Sequence, residues 1–359
     1  MVIKQDGTVW AAGGNYLGQL GYGERTKPKH KFVEVFSSRA KAVAADGGGH
    51  SMVLTEDGGV WATGRNYYGQ LGDESNIDRA FFVKVISKGA KAVAIGSKHS
   101  LVVKQDGSVW ATGSNMRGQL GDVSISITSK FSQVPFTGAE AVAAGVEHSL
   151  VLKQDGSVWA VGGNSFGQIG DGATASRKSF VRVLPAGAQA IAAGGYHSLV
   201  LKEDGTVWTM GDNQYGQLGD GSKTSRTSML RIGTNFMQSF SSGVKAIAAG
   251  FLHSMVLEQD GTVWTTGKND CGQLGDGSKI SKKIFVRVTS GAQSMAAGGF
   301  HSMILKDDGS FWATGANSEG QLGDGSTTEQ HAFIRVMQAS DKGSWGVLCR
   351  GCLIIIFIM

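Results

Sequence analysis

The sequence predicts an all-β fold, a seven-bladed β-propeller of four-stranded antiparallel blades. Three observations predict it. A DGxVW signature or a close variant recurs seven times, with tryptophans at Trp10, Trp61, Trp110, Trp159, Trp208, Trp264 and Trp312. Their spacings run from 48 to 56 residues, near the period of a propeller blade and far above the roughly 20 to 29 residues of a leucine-rich solenoid. Each unit carries four short apolar runs and none of the amphipathic periodicity of a helical repeat.

The best-formed unit shows the elements in order. Gln189 to Ala193 (QAIAA) is a strand of very small residues. Ser198 to Lys202 and Thr206 to Thr209 form a hairpin around Glu203-Asp204-Gly205, where Asp can bond its own backbone and Gly can take positive φ. A glycine-rich loop follows over Gly211 to Gly221. The fourth run is clearest in other units, as Phe180 to Val183 and Phe285 to Val288. A four-stranded sheet cannot bury its own faces, so it stacks on its copies, and seven copies suit a closed ring.

The run AAGGYHSLVLKEDGTVW, followed by GDNQYGQLGDGS, resembles the repeat of the regulator of chromosome condensation family. The resemblance covers roughly residues 1 to 336, the expected propeller domain, with 337–359 as an aberrant C-terminal segment. It implies a seven-bladed propeller, and it leaves the function open because fold does not imply function. This repeat serves exchange factors, ubiquitin ligases, light sensors and scaffolds. Plant light sensors of this kind carry tryptophan in a Gly-Trp-Arg-His-Thr turn. The matching residues here are Gly48, Ser97, Val146, Gly195, Phe251 and Gly299, which disfavours photoreception.

Composition narrows the classes further. The 55 glycines sit at fixed offsets in the repeat, so they are turn and packing residues and not a low-complexity signal. The net charge of +5 is spread over many blades, with one thickening at Lys279, Lys282, Lys283 and Arg287. A phosphate-binding footprint would be clustered, so no specific nucleic-acid partner is expected. Three cysteines make no disulfide framework and MVIKQDG is no signal peptide, so the expected location is cytoplasmic or nuclear.

The ends are irregular. Met1 to Gln5 matches a second strand, so blade one lacks its innermost strand, and the ring is expected to close only if the C-terminus supplies it. Ser344 to Cys349 could pair as that closing strand. Leu353 to Met359 is uniformly apolar but far shorter than the roughly 20 residues that span a bilayer, so no membrane association is expected. The expectation is a fragment, or a chain whose last segment is aberrant. A further irregularity lies in the fifth unit, where seven extra residues within Ser222 to Gly243 read as a surface loop.

Candidate chemistry is weak throughout. The seven tryptophans read as inter-blade core. Six His-Ser pairs, at His50, His99, His148, His197, His253 and His301, suggest a nucleophile, but neighbours on a strand point to opposite faces and cannot share one active site. One histidine per blade also lies too far from the next for ligation at about 2 Å. Gly216 to Lys223 (GQLGDGSK) misses the phosphate-loop pattern because Ser222 intervenes before the lysine. The Asp-Gly loops, as at Asp276 and Asp324, lack the alternating carboxylates of a calcium loop. Cys349 and Cys352 form a lone CxxC. No catalytic, metal or cofactor site is therefore expected, and the protein reads as a non-enzymatic monomer.

One functional expectation remains, concerning the faces of the ring. Strands alternate in direction, so the loop after strand one (Gly-x-x-His) and the loop after strand three (Gly-x-Asn-x-x-Gly-Gln-Leu) emerge on the same face. All six tyrosines fall there: Tyr16, Tyr22, Tyr67, Tyr68, Tyr196 and Tyr215. Met116, Arg117, Phe166, Phe251, Leu252 and Phe300 join them at positions that differ between units. These residue types favour interfaces, so this face is expected to bind a protein partner. The alternative is a guanine-nucleotide exchange factor for a Ran-type small GTPase, which the resemblance alone implies. Asp46 and Glu147 are the acidic residues of the first-type loops available for that role.

Overall fold

The computed structural model describes residues 1–25, 27–45, 49–124, 126–232 and 240–337. Seven antiparallel sheets follow one another along the chain as blades. In blade four the strands are Ala139–Ala144, His148–Lys153, Val158–Gly162 and Arg177–Leu184, paired in that order. Blade one has three strands among the described residues: Val2–Ile3, Val9–Gly13 and Lys29–Phe36. Ser344 to Cys349, Leu353 to Met359, Cys349 and Cys352 lie outside the described residues.

The small residues of strand one matter because these strands converge on the axis. Blade three's Ala90–Ile95 packs against blade two's Ala40–Ala45 and blade four's Ala139–Ala144. Strand two is buried along its length, and the outer fourth strand alternates between core and solvent. Seven apolar clusters fill the ring, each joining two consecutive blades. One of them joins blade seven (Met303, Leu305, Phe311, Leu322) to blade one (Val2, Ala12, Phe32), so the described blades close a circle.

That closure has a specific contact. Gly323 has a φ of +74°, and an added Cβ would stand 2.2 Å from the Phe32 ring. Only glycine permits both the backbone and the approach. The phenylalanine of each FVRV-type strand thus explains the glycine before Asp in the preceding blade's loop: Phe131 covers Gly72, and Phe285 covers Gly219. A backbone bridge between Lys31 and Asp324 accompanies the closing contact.

The tryptophans lie at the blade junctions, each packed against a cluster shared with the preceding blade, but all seven are half-buried and not fully in the core. The reason is polar. Trp110 Nε1 donates to Ser108 Oγ at 3.1 Å, whose hydroxyl donates to Asp106 in the hairpin, and the Lys104 ammonium stands 3.5 Å over the ring. In blade six Glu258 replaces that lysine, and its carboxylate accepts the Trp264 N–H at 2.7 Å and the Ser242 N–H at 3.0 Å. Ser242 belongs to the irregular fifth unit. Part of that expected loop is in fact the outer strand Arg226–Arg231, because its residues pair with Val207–Gly211. Ile232 and Phe240 pack into the core beyond it.

Candidate protein-interaction face

The loop after strand one is a tight turn in which the glycine N–H donates to the histidine carbonyl, as from Gly145 to His148 at 2.9 Å. The histidine ring folds back over the glycine: a Cβ on Gly145 would meet His148 Cε1 at 2.3 Å. His148 Nε2 lies 2.9 Å from Ser198 Oγ in the next blade. The pattern recurs as His50–Ser100, His99–Ser149, His197–Ser254 and His253–Ser302. Each of these serine hydroxyls also donates to a glutamine carbonyl of the preceding blade, as Ser198 does to Gln168 at 2.8 Å. A hydroxyl that has given its one proton must accept, so the histidine carries a proton on Nε2. Burial pushes the pKa of His99, His197 and His301 down to about 3, and those of His148 and His253 to about 4. Histidine and serine therefore bond across the blade boundary, and the pairs are structural staples.

The loop after strand three is held by its own side chains. In blade two Asn66 Nδ2 donates to Asp73 Oδ1 at 2.8 Å and to the Ile77 carbonyl, while its Oδ1 accepts from Leu71 N. Gln70 Oε1 accepts from Tyr68 N at 2.9 Å. Asp73 receives the Arg79 guanidinium at 2.6 Å. This arrangement disposes of two candidate sites. In Gly216 to Lys223 the amides of Gly216, Leu218, Gly219, Gly221 and Ser222 all have acceptors within the protein, leaving no cradle for phosphate. The Asp276 carboxylate is taken by Asn269, Ser278 and Lys282.

With both loop types fixed, the residues between the anchors project from one end of the ring. They surround the mouth of the axial channel, a cavity of about 700 Å³ lined by both loop types, including Tyr16, Gly145, Gly194, Phe251 and Phe300. The first-type loops are stitched to one another around this mouth: Val146 N donates to Gly195 O, Gly195 N to Phe251 O and Phe251 N to Gly299 O, at 3.1, 3.1 and 3.3 Å.

The expected interface residues divide into two sets. Phe166, Tyr196, Phe251 and Phe300 form an arc of successive ring contacts, with centroids 5.3, 6.0 and 5.9 Å apart, crossing from blade four to blade seven. Phe166, Tyr196, Phe251 and Leu252 are half-buried, and they cover neighbouring blades as well as facing outward. Lys268 extends over Tyr215 and Phe300 at 4.9 and 5.6 Å. Burial, with the Glu147 carboxylate next in importance, raises the Tyr196 pKa. The second set stands free: Tyr16, Tyr67 and Met116 are 60%, 68% and 69% exposed. Arg117 is exposed beside them and lies 3.5 Å from Glu147, so that acidic candidate is already paired. Tyr68 is half-buried, with its ring against Tyr67 and under Lys98. Asp46 and Gly48 lie outside the described residues. Sequence reasoning missed Arg25 and Ile77, which extend the free set across blades one and two, and Arg65, which is half-buried beside them. Their signal was the departure of these two blades' strand-three loops from the repeat.

Comparison with known proteins agrees with this architecture. The RCC1-like domain family matches residues 1–234 and again 91–352. Protein RCC2 of Mus musculus is 38% identical over 73 residues, covering 20% of this chain and 14% of that protein. The X-linked retinitis pigmentosa GTPase regulator of Canis lupus familiaris is 40% identical over 78 residues, 21% of this chain and 8% of the relative. The matched stretches are thus a small part of those relatives' lengths. Among solved structures, Prp20p of Saccharomyces cerevisiae superposes with a TM-score of 0.82 at 22% identity, covering 95% of this chain and 88% of Prp20p. Human WBSCR16 superposes with a TM-score of 0.81 at 21% identity, covering 92% and 94%. Both share the seven-bladed ring, and the sequence match spans most of the repeats from which that ring is built. The chain belongs to the RCC1-like domain family.

Proposed function

We propose that this protein is a non-catalytic interaction propeller that binds a protein partner through its loop face. One observation carries the reading. The residue types able to do chemistry, the repeated histidines and serines, are buried and bonded to each other, while the residues that vary between blades project as exposed tyrosine, methionine and arginine on the same end. Apolar side chains left in water on a rigid frame favour association, and a rigid frame lowers its entropic cost. The expected setting is cytoplasm or nucleus, with the chain a monomer and the 1–336 region acting as one propeller unit. Replacing Tyr67 and Met116 with Ser tests the reading, since both are too exposed to carry the fold. Unchanged stability with weakened partner binding supports it, and unchanged binding contradicts it.

A second reading is favoured by one comparison. The structure of yeast Prp20p is described together with its binding properties to Gsp1p and histones, and Gsp1p is a Ran-type GTPase. A Ran-type GTPase is therefore a candidate partner, and exchange activity the alternative function. Among the described residues, the acidic group available on the first-type loops, Glu147, is held by Arg117.

A further inference from the structure

We propose that the loop face carries its docking site across blades one and two, and that the site takes an acidic segment of a protein partner bearing aliphatic or aromatic anchors. The inference rests on the loop-face reading and names the chemistry of what binds there. Two adjacent surface depressions share Arg25. One, of about 600 Å³, is lined also by Tyr16, Lys27 and Lys29. The other, of about 480 Å³, is lined also by Arg65, Tyr67 and Ile77. Ile77 is 64% exposed, comparable to Tyr16 and Tyr67, so three large apolar side chains stand in water around one arginine.

The charge is one-sided. Arg25, Lys27, Lys29 and Arg65 line the two depressions, against Glu24 and Asp78. Asp78 is already occupied, accepting the Asn66 N–H at 2.7 Å and lying 3.7 Å from the Arg25 guanidinium. Arg25 Nη2 also donates to the Asp78 carbonyl at 2.7 Å, which fixes the guanidinium between the two depressions while leaving it 47% exposed. Among the described residues Arg65, Lys27 and Lys29 have no carboxylate within ion-pair distance. A planar guanidinium held in place and flanked by aromatic rings suits a carboxylate, and the apolar side chains need an occupant with its own apolar groups. A nucleic-acid backbone fits less well, because the aliphatic Ile77 offers no ring for a base to stack on.

The experiment is a display selection of short random peptides on the full chain. Affinities of the recovered peptides are then measured by fluorescence anisotropy, with a single-stranded DNA oligonucleotide as competitor. The proposal predicts peptides rich in Asp and Glu interleaved with Leu, Phe or Tyr, and binding that weakens as salt is raised. Arg25→Glu combined with Arg65→Glu should weaken binding about tenfold or more, and Ile77→Ser should also weaken it. Gln105→Glu combined with Gln154→Glu, exposed on the hairpin side, should leave it unchanged. Recovery of no peptides, no acidic enrichment, or preferential binding of the DNA overturns the proposal. Loss through Met116→Ser with Phe166→Ser, elsewhere on the loop face, and none through Arg25 and Arg65 overturns the patch but leaves the loop face standing. Loss only through Gln105→Glu with Gln154→Glu, on the hairpin side, overturns both.

Discussion

His99 Nε2 lies 2.9 Å from Ser149 Oγ in the next blade, and the Ser149 hydroxyl donates at 2.7 Å to the Gln119 carbonyl of the blade that holds His99. One serine thus fastens two different loops of its neighbour. Because the bond runs between blades, its loss should loosen the ring without unfolding any single hairpin.

Ser198→Ala should therefore destabilise the protein by about 2–4 kcal/mol, because it strands the His148 N–H and the Gln168 carbonyl in a buried site. Ser51, whose hydroxyl donates to the Gln19 carbonyl at 2.8 Å, has no histidine bonded to it among the described residues. Ser51→Ala should cost about half as much. Urea midpoints that fall without a change of slope would check both values.

Acid should unfold this protein above the carboxylate range. His50, His99, His148, His197, His253 and His301 are fully buried, and burial lowers each pKa from 6.5 to about 3 or 4. A histidine with a depressed folded pKa stays neutral in the fold and protonates on unfolding. The stability it supplies is present above the unfolded pKa near 6.5 and is lost as pH falls towards the folded value. Each contributes up to about 1.4 kcal/mol per pH unit in that window. Six together can consume an ordinary stability of about 5–15 kcal/mol within two units. Tryptophan fluorescence should show unfolding between about pH 5.5 and 4.5. A fold retained to pH 3 would rule out the neutral buried histidines.

Ring closure can be probed with a matched pair of glycines. Gly323→Ala meets both a positive φ and the Phe32 ring, whereas Gly277, with a φ of +80°, has no heavy atom within 4 Å of an added Cβ. Gly277→Ala should cost only the left-handed backbone penalty, about 1–2 kcal/mol. Gly323→Ala should cost about 1–3 kcal/mol more through overpacking, seen as a lower thermal midpoint. Equal costs would mean that the junction of blades seven and one is loose.

Glu74 is the one non-glycine residue with positive φ among the described residues, at 64°, where four other blades carry glycine after the same aspartate (Gly172, Gly221, Gly277 and Gly325). Its side chain makes only an exposed ion pair with Lys130 at 2.7 Å. Glu74→Gly should raise stability by up to about 1 kcal/mol, since relief of the backbone exceeds the added freedom of glycine in the unfolded chain. A loss of stability would show that the Lys130 pair outweighs the strain.

The fold was legible because each blade repeats it: seven tryptophans at near-constant spacing, a hairpin marked by Asp-Gly, and an inner strand of alanines. The opposition of His and Ser on one strand was also legible, but the cross-blade bond between them was not, because their partners lie 49 to 57 residues away in sequence. The face on which the tyrosines fall followed from strand alternation. Which of them stand free did not, since exposure depends on a neighbouring blade's loop: Tyr196 lies against Phe166 and Phe251, while Tyr67 extends past its own neighbours. The Arg25 site escaped sequence reading because the depression that Arg25 shares with Arg65, Tyr67 and Ile77 forms only when blades one and two are set side by side.

The most direct measurement is release of a fluorescent guanine nucleotide from a purified Ran-type GTPase, with and without the folded protein at micromolar concentration. A binding face without catalytic groups predicts release at the GTPase's own rate, even if the two proteins associate. Acceleration of a hundredfold or more, about 2.7 kcal/mol of barrier, would contradict a non-catalytic propeller and establish an exchange factor.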